Sequence, residues 1–137
     1  MRRPAELCAR PWRFGAAQVR VLWPCPQFDA GLDANDNSLV LRLDHGEQRF
    51  LWTGDIEGPA EHALVSSPHA RALNADVLKV PHHGSRTSSS EAFLAAVSPS
   101  IAVVSAGAFN RYGHPHIEVQ RRLHDHAKHV LRIDQQG

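Results

Sequence analysis

Between Ser38 and Ile133, short apolar runs of strand length alternate with segments whose apolar residues recur at helical intervals, and few folds accept that alternation. Ser38 to Asp44 sets Leu39, Leu41 and Leu43 on one side and Val40 and Arg42 on the other, the pattern of a strand with one buried face. His45-Gly46-Glu47-Gln48 supplies a turn and Arg49 to Thr53 returns, so this stretch predicts a β-hairpin. Pro59 suits the first position of a helix that fades near Ser66-Ser67-Pro68, with Glu61 close to the positive end of its dipole. Asp76 to Val80, Ile101 to Ser105 and Val130 to Ile133 read as further strands. Between them, Ser88 and Glu91 have capping-box spacing ahead of Phe93, Ala96 and Val97, and Pro115 is expected to open a helix bearing Val119, Leu123 and Ala127 on one face.

Upstream, Val19 to Trp23 reads as a strand ended by Pro24-Cys25-Pro26, followed by a loop rich in Asp, Gly and Asn to Asn37. Residues 1–18 read as an irregular approach segment, broken by Pro4, Pro11 and Gly15. The expectation is an α/β domain over residues 19–137, a mixed sheet covered by helices. A length of 137 residues with 42% hydrophobic content suits one core. A formal net charge of +1 excludes nucleic-acid binding by bulk charge, so any polyanion contact must be local. No apolar run approaches the roughly 20 residues that cross a bilayer, and the piece itself reads as soluble. Cys8 and Cys25 could pair or stay reduced, and their spacing matches no metal knuckle.

The chemistry concentrates in three loops that each leave an apolar strand: Thr53-Gly54-Asp55, Pro81-His82-His83-Gly84-Ser85, and Asn110-Arg111-Tyr112-Gly113-His114-Pro115. Strands lying side by side would bring one carboxylate and three imidazoles together, the ligand mix of zinc, manganese or iron. Alternatives stand beside this reading: Asp55 could cap the helix near Gly58, and His114 could merely end a loop. Adjacent histidines are harder to explain by packing, because only one of them should face a core. Arg86, with Ser85 beside it, offers a cation and a hydroxyl for a phosphate oxygen. The tail His124-Asp125-His126 is rejected as a chelate, since residues two apart on a helix point roughly 200° apart.

These segments carry a resemblance. Asn37-Ser38-Leu39-Val40-Leu41, Phe50-Leu51-Trp52-Thr53-Gly54-Asp55, Leu78-Lys79-Val80-Pro81-His82-His83-Gly84-Ser85 and Asn110-Arg111-Tyr112-Gly113-His114-Pro115 are similar to the metallo-β-lactamase-like domain of ComEC-type competence proteins, which take up DNA in natural transformation. The resemblance implies the carboxyl-terminal half of an αββα sandwich and metal-dependent phosphodiester hydrolysis, with zinc or manganese as cofactor. It implies Asp55 and one of His82 or His83 as metal ligands, His114 and Ser85 as catalytic groups, and Arg86, Asn110 and Arg111 as substrate contacts. It also implies a membrane-embedded parent with this domain on the extracytoplasmic side of a bacterial inner membrane. The His-x-His-x-Asp-His cluster with which such domains open has no counterpart here, and no histidine precedes Ser38. The chain alone is therefore expected to be inactive, to need an amino-terminal half-domain as partner, and to self-associate through the surface that half would cover. Two other readings compete: a non-catalytic module that binds DNA through Arg86, Arg111, Arg121 and Arg122, and a hydrolase half acting on another ester.

Overall fold

A computed structural model describes residues 8–136, and among them seven strands form one mixed sheet whose spatial order equals their chain order. Strands β1 (Trp12–Phe14), β2 (Ala17–Trp23), β3 (Val40–His45) and β4 (Gln48–Trp52) pair antiparallel. Strands β5 (Val77–Lys79), β6 (Ile101–Val104) and β7 (His129–Arg132) then add in parallel, each reached through a helix-bearing crossover. The helices are α1 (Gly58–Ser66), α2 (Glu91–Val97), α3 (Ile117–His126) and a short α4 (Ile133–Gln136).

The approach segment is a correction. Residues 1–7 lie outside the described residues, but Trp12 to Phe14 are not irregular: they form an edge strand on β2, with Phe14 opposite Ala17. Gly15, read as a breaker, is instead the turn residue of that hairpin, in the left-handed conformation at φ +57. A disulfide joins Cys8 to Cys25 and fastens the start of the described chain to the end of β2.

Side chains on one face of the sheet pack against the helices. Along the rung Leu51, Leu78, Ala102, Val130, the first three residues are 1% exposed or less and meet Leu64, Phe93, Leu94, Val119 and Leu123. The neighbouring rung Leu43, Phe50, Val77, Ile101 points the other way and is only half-buried. Leu39, Trp52 and Leu131 are 50%, 43% and 42% exposed. In β3 the fully buried residue is thus Val40, while the leucine face seen in the sequence lies on the open side. Large apolar areas left in water mark contact surfaces.

Helix starts follow tertiary contacts as much as local signals. The cap of α1 comes from Asp36, whose Oδ1 accepts from Glu57 N at 2.7 Å and Ala60 N at 3.3 Å. The capping residue of α2 is Ser90 and not Ser88, because the Ser88 hydroxyl donates to the carbonyls of Pro81 and Ser85, 3.0 Å from each. Helix α3 opens at Ile117 with His116 as its cap, two residues after Pro115, since the His116 N–H donates to the Gly84 carbonyl and holds that link extended.

Asp76 locks the parallel half of the sheet to the antiparallel half. Its carboxylate accepts from Arg49 N at 2.8 Å and pairs with Arg49 Nη2 at 2.7 Å, while its own carbonyl receives Ser100 N and Ile101 N. The Arg49 guanidinium, mainly by hydrogen bonding, holds the Asp76 carboxyl below the usual carboxylate range. A depressed folded-state pKa contributes stability above the unfolded value, and that contribution is lost as pH falls through the folded one. Asp76→Asn is therefore expected to be less stable than the parent at pH 7 and to lose less on acidification below about pH 4, as read by urea unfolding across pH. Parallel pH profiles for the two proteins would refute this.

Candidate functional site

The turns after β4, β5 and β6 emerge side by side at the carboxyl ends of the parallel strands, where α/β sheets gather functional groups. Hydrogen bonds stitch them together. His82 N donates to the Gly54 carbonyl at 3.2 Å, Lys79 Nζ reaches the same carbonyl at 2.7 Å, and His116 N meets the Gly84 carbonyl at 2.8 Å. Gly54 sits at φ +54, where a β-carbon would lie 2.6 Å from that of Ser38. Gly84 sits at φ +82, where one would lie 2.6 Å from that of Pro115. Both turns thus exclude any larger residue.

His82 and His83 are themselves left-handed, at φ 44 and φ 54, so three successive residues hold a conformation that side chains disfavour. Such strain costs on the order of 1–3 kcal/mol per residue and persists only where surroundings enforce it. The enforcing contacts are buried. Glu61 of α1, with 0% exposure, accepts from Ser89 N at 2.5 Å and Ser90 N at 2.8 Å, and burial pushes its carboxyl up. Arg122 of α3 donates Nε to the Ser89 carbonyl and Nη2 to the Ser88 carbonyl.

The strained backbone aims the two imidazoles apart, with ring centres 6.4 Å from each other. His83 Nδ1 contacts the Ser105 carbonyl and its Nε2 lies 3.6 Å from Asp55 Oδ1. His82 instead approaches Glu57, its buried Nδ1 at 2.8 Å from Oε1 but outside hydrogen-bond alignment. His114 lies 5.8 Å from His82, ring centre to ring centre, and is held below the usual histidine range by burial and then by the neighbouring histidines. Lys79 Nζ stands 3.5 Å from Asp55 Oδ1, and burial lowers its pKa against the pull of that carboxylate.

Comparison with known proteins places the chain. Residues 19–108 match the metallo-beta-lactamase superfamily. The chain belongs to that superfamily. It is 43% identical over 104 residues to ComE operon protein 3 of Bacillus subtilis, covering 75% of this chain and 13% of that protein. It is 40% identical over 134 residues to competence protein ComA of Neisseria gonorrhoeae, covering 97% of this chain and 19% of the relative. Recombination protein 2 of Haemophilus influenzae is 43% identical over 91 residues, 66% of this chain and 11% of its own. The chain spans a fifth or less of the length of these relatives, and its likeness to ComEC-type competence proteins holds.

Membership of this metallo-beta-lactamase superfamily implies metal use, and Asp55 with His83 is a donor pair of the fitting kind. A histidine whose Nδ1 is held by a backbone carbonyl presents Nε2 as its free nitrogen, the usual orientation of a metal-bound imidazole, and here that nitrogen faces a carboxylate. Beyond the Asp55–His83 pair, no three of Asp55, His82, His83 and His114 bring donor atoms within 4.8 Å of one another. Among the described residues the tight set is Asp33, Asp36 and Glu57, with ligand atoms within 4.8 Å of one another. The sequence does not advertise that set, because Asp33 and Asp36 lie in a Gly- and Asn-rich stretch that reads simply as loop and Glu57 follows 21 residues after Asp36.

Other expected site residues are placed unequally. Ser85 is buried and its hydroxyl shares a 2.9 Å hydrogen bond with Thr87. The Asn110 side chain is engaged inside its own loop, accepting from His114 N and donating to the Gly107 and His114 carbonyls. Arg86 and Arg111 are exposed. Of the cations proposed for a DNA-binding module, Arg122 turns inward to the Ser88 and Ser89 carbonyls.

Glu61→Ala should strip two buried N–H groups of their acceptor and lower the unfolding free energy by about 3 kcal/mol, with Glu61→Gln losing roughly half as much because one acceptor oxygen remains. Urea unfolding measures both, and an unshifted midpoint for Glu61→Ala would contradict the assigned role.

Proposed function

We propose that this chain is part of a metal-dependent phosphodiesterase domain that acts on DNA during uptake in natural transformation. The observation that carries the reading is Asp55 Oδ1 at 3.6 Å from His83 Nε2, with His83 anchored through Nδ1 on the Ser105 carbonyl. In this reading Asp55 and His83 hold the divalent ion, zinc or manganese, with His82 beside them. When bound, that ion would supply Lewis acidity toward the phosphate and activation of water. His114, held below the usual histidine range by burial, is suited to accept and return a proton at its ring nitrogen. Exposed Arg86 and Arg111 are suited to phosphate oxygens.

The open apolar face of the sheet supports a second half-domain lying against it, bearing the His-x-His-x-Asp-His cluster and completing the ligand count that two or three donors leave short. The Cys8–Cys25 disulfide supports placement of the domain on the extracytoplasmic side of the membrane, since such bonds persist in oxidising compartments. Among the described residues no helix is long and apolar enough to cross a membrane.

Joined to an amino-terminal half of that kind, the domain is expected to cleave DNA with manganese or zinc, and Asp55→Ala or His83→Ala should reduce the rate at least a hundredfold. Undiminished cleavage by Asp55→Ala would sink the proposal, and metal-dependent cleavage by the 137-residue chain alone would show that the second half is dispensable.

On its own the chain should self-associate through the open face, and replacing Trp52 and Leu131 with serine should shift it toward monomer in sedimentation velocity. A monomer at millimolar concentration before any substitution would count against that surface.

A further inference from the structure

Beside the candidate site, residues 105–114 form a loop whose aromatic side chains face water. Phe109 is fully exposed at 101% and Tyr112 is 76% exposed, although each would gain by burying its ring. The Tyr112 ring stacks on His114 at 5.8 Å with an interplanar angle of 27°. It thereby forms one wall of a groove of about 240 Å³ whose other sides include His83, Ser105, Ala106 and Gly107. The Asn110 amide, by its contacts with Gly107 and His114, holds the loop in this shape. The groove therefore exists before any ligand arrives.

We infer that this groove is a nucleobase-stacking subsite, in which Tyr112 receives a base of single-stranded DNA next to the bond presented to His83 and His114. The inference rests on the phosphodiesterase reading and adds to it the strand form and the residues that hold it.

Three features favour this occupant. A volume near 240 Å³ suits one planar ring system, below the usual range for larger ligands. Arg111 lies between the two aromatic residues in sequence and is exposed, so a cation for the flanking phosphate comes with the stacking surface. The Ser105 carbonyl is taken by His83 and the Asn110 amide by its own loop, which removes those hydrogen-bonding groups from reading a base edge. Stacking without edge readout tolerates every base, and duplex DNA, whose bases are already stacked, offers no free ring.

The test is equilibrium binding of the full 137-residue chain to a labelled oligothymidylate and to an abasic oligomer of equal length, in excess chelator so that hydrolysis plays no part. The parent chain should bind the base-bearing strand more tightly than the abasic one. Tyr112→Ala should weaken binding of oligothymidylate about tenfold and leave the abasic strand unchanged, and Tyr112→Trp should keep the parent's affinity. Equal affinity of the parent for both strands, or equal losses on both in Tyr112→Ala, would overturn the subsite. Failure here leaves metal-dependent cleavage by the completed domain untouched, whereas failed cleavage with intact base-dependent binding would remove the catalytic reading alone.

Discussion

Much of the site depends on one buried carboxylate. Glu61 projects from α1 into the core and takes the N–H groups of Ser89 and Ser90, which lie 28 and 29 residues further along the chain. Burial alone would favour its neutral form, and the two N–H donors with the nearby Arg122 oppose that tendency. Arg122 closes the arrangement by donating to the carbonyls of Ser88 and Ser89. Three elements, α1, α3 and the loop after β5, are thus joined at buried polar groups that have few other partners. Because those groups cannot be left unmatched without a cost of about 1–3 kcal/mol each, the loop has one conformation and not several. That rigidity is what allows His82 and His83 to keep a left-handed backbone.

The sheet supplies the second constraint. Its helices lie against one face, and the residues of opposite parity, among them Phe50, Val77 and Ile101, remain half-exposed. Strands of a parallel sheet buried on both faces read as continuous apolar runs, and Ile101-Ala102-Val103-Val104 does so although only Ala102 and Val104 are fully covered. The composition of β6 therefore suits a neighbour on each side. The three catalytically suggestive turns sit along the rim of this sheet, so whatever covers the open face also approaches Asp55 and His83.

Much of this was legible in the sequence, where the information is local. Period-two and helical patterns marked the strands and helices, and strand order brought the turns after β4, β5 and β6 together, since consecutive parallel strands end at one edge. Strand β1 escaped notice because three residues carry no readable period, and its existence depends on pairing with β2. Remote caps escaped as well: Asp36 serves α1 from 21 residues before Glu57, a spacing without any signature. The same limit applies to side-chain commitments. Ser85 and Asn110 advertise free polar groups in the sequence, yet their neighbours Thr87 and His114 absorb them. Phe109 and Tyr112, by contrast, are given no task by the sequence, and their exposure is visible only in the structure.

The paired histidines show how backbone conformation divides chemical labour. In an extended chain, adjacent side chains point to opposite faces, and in a helix they would splay by about 100°. Here successive left-handed residues send His83 toward Asp55 and His82 toward Glu57, so that each imidazole meets a different carboxylate. Glu57 in turn neighbours Asp33 and Asp36, and Asp36 caps the helix that carries Glu61. The carboxylate cluster on the His82 side and the clamp that imposes the loop strain are therefore mechanically connected through α1.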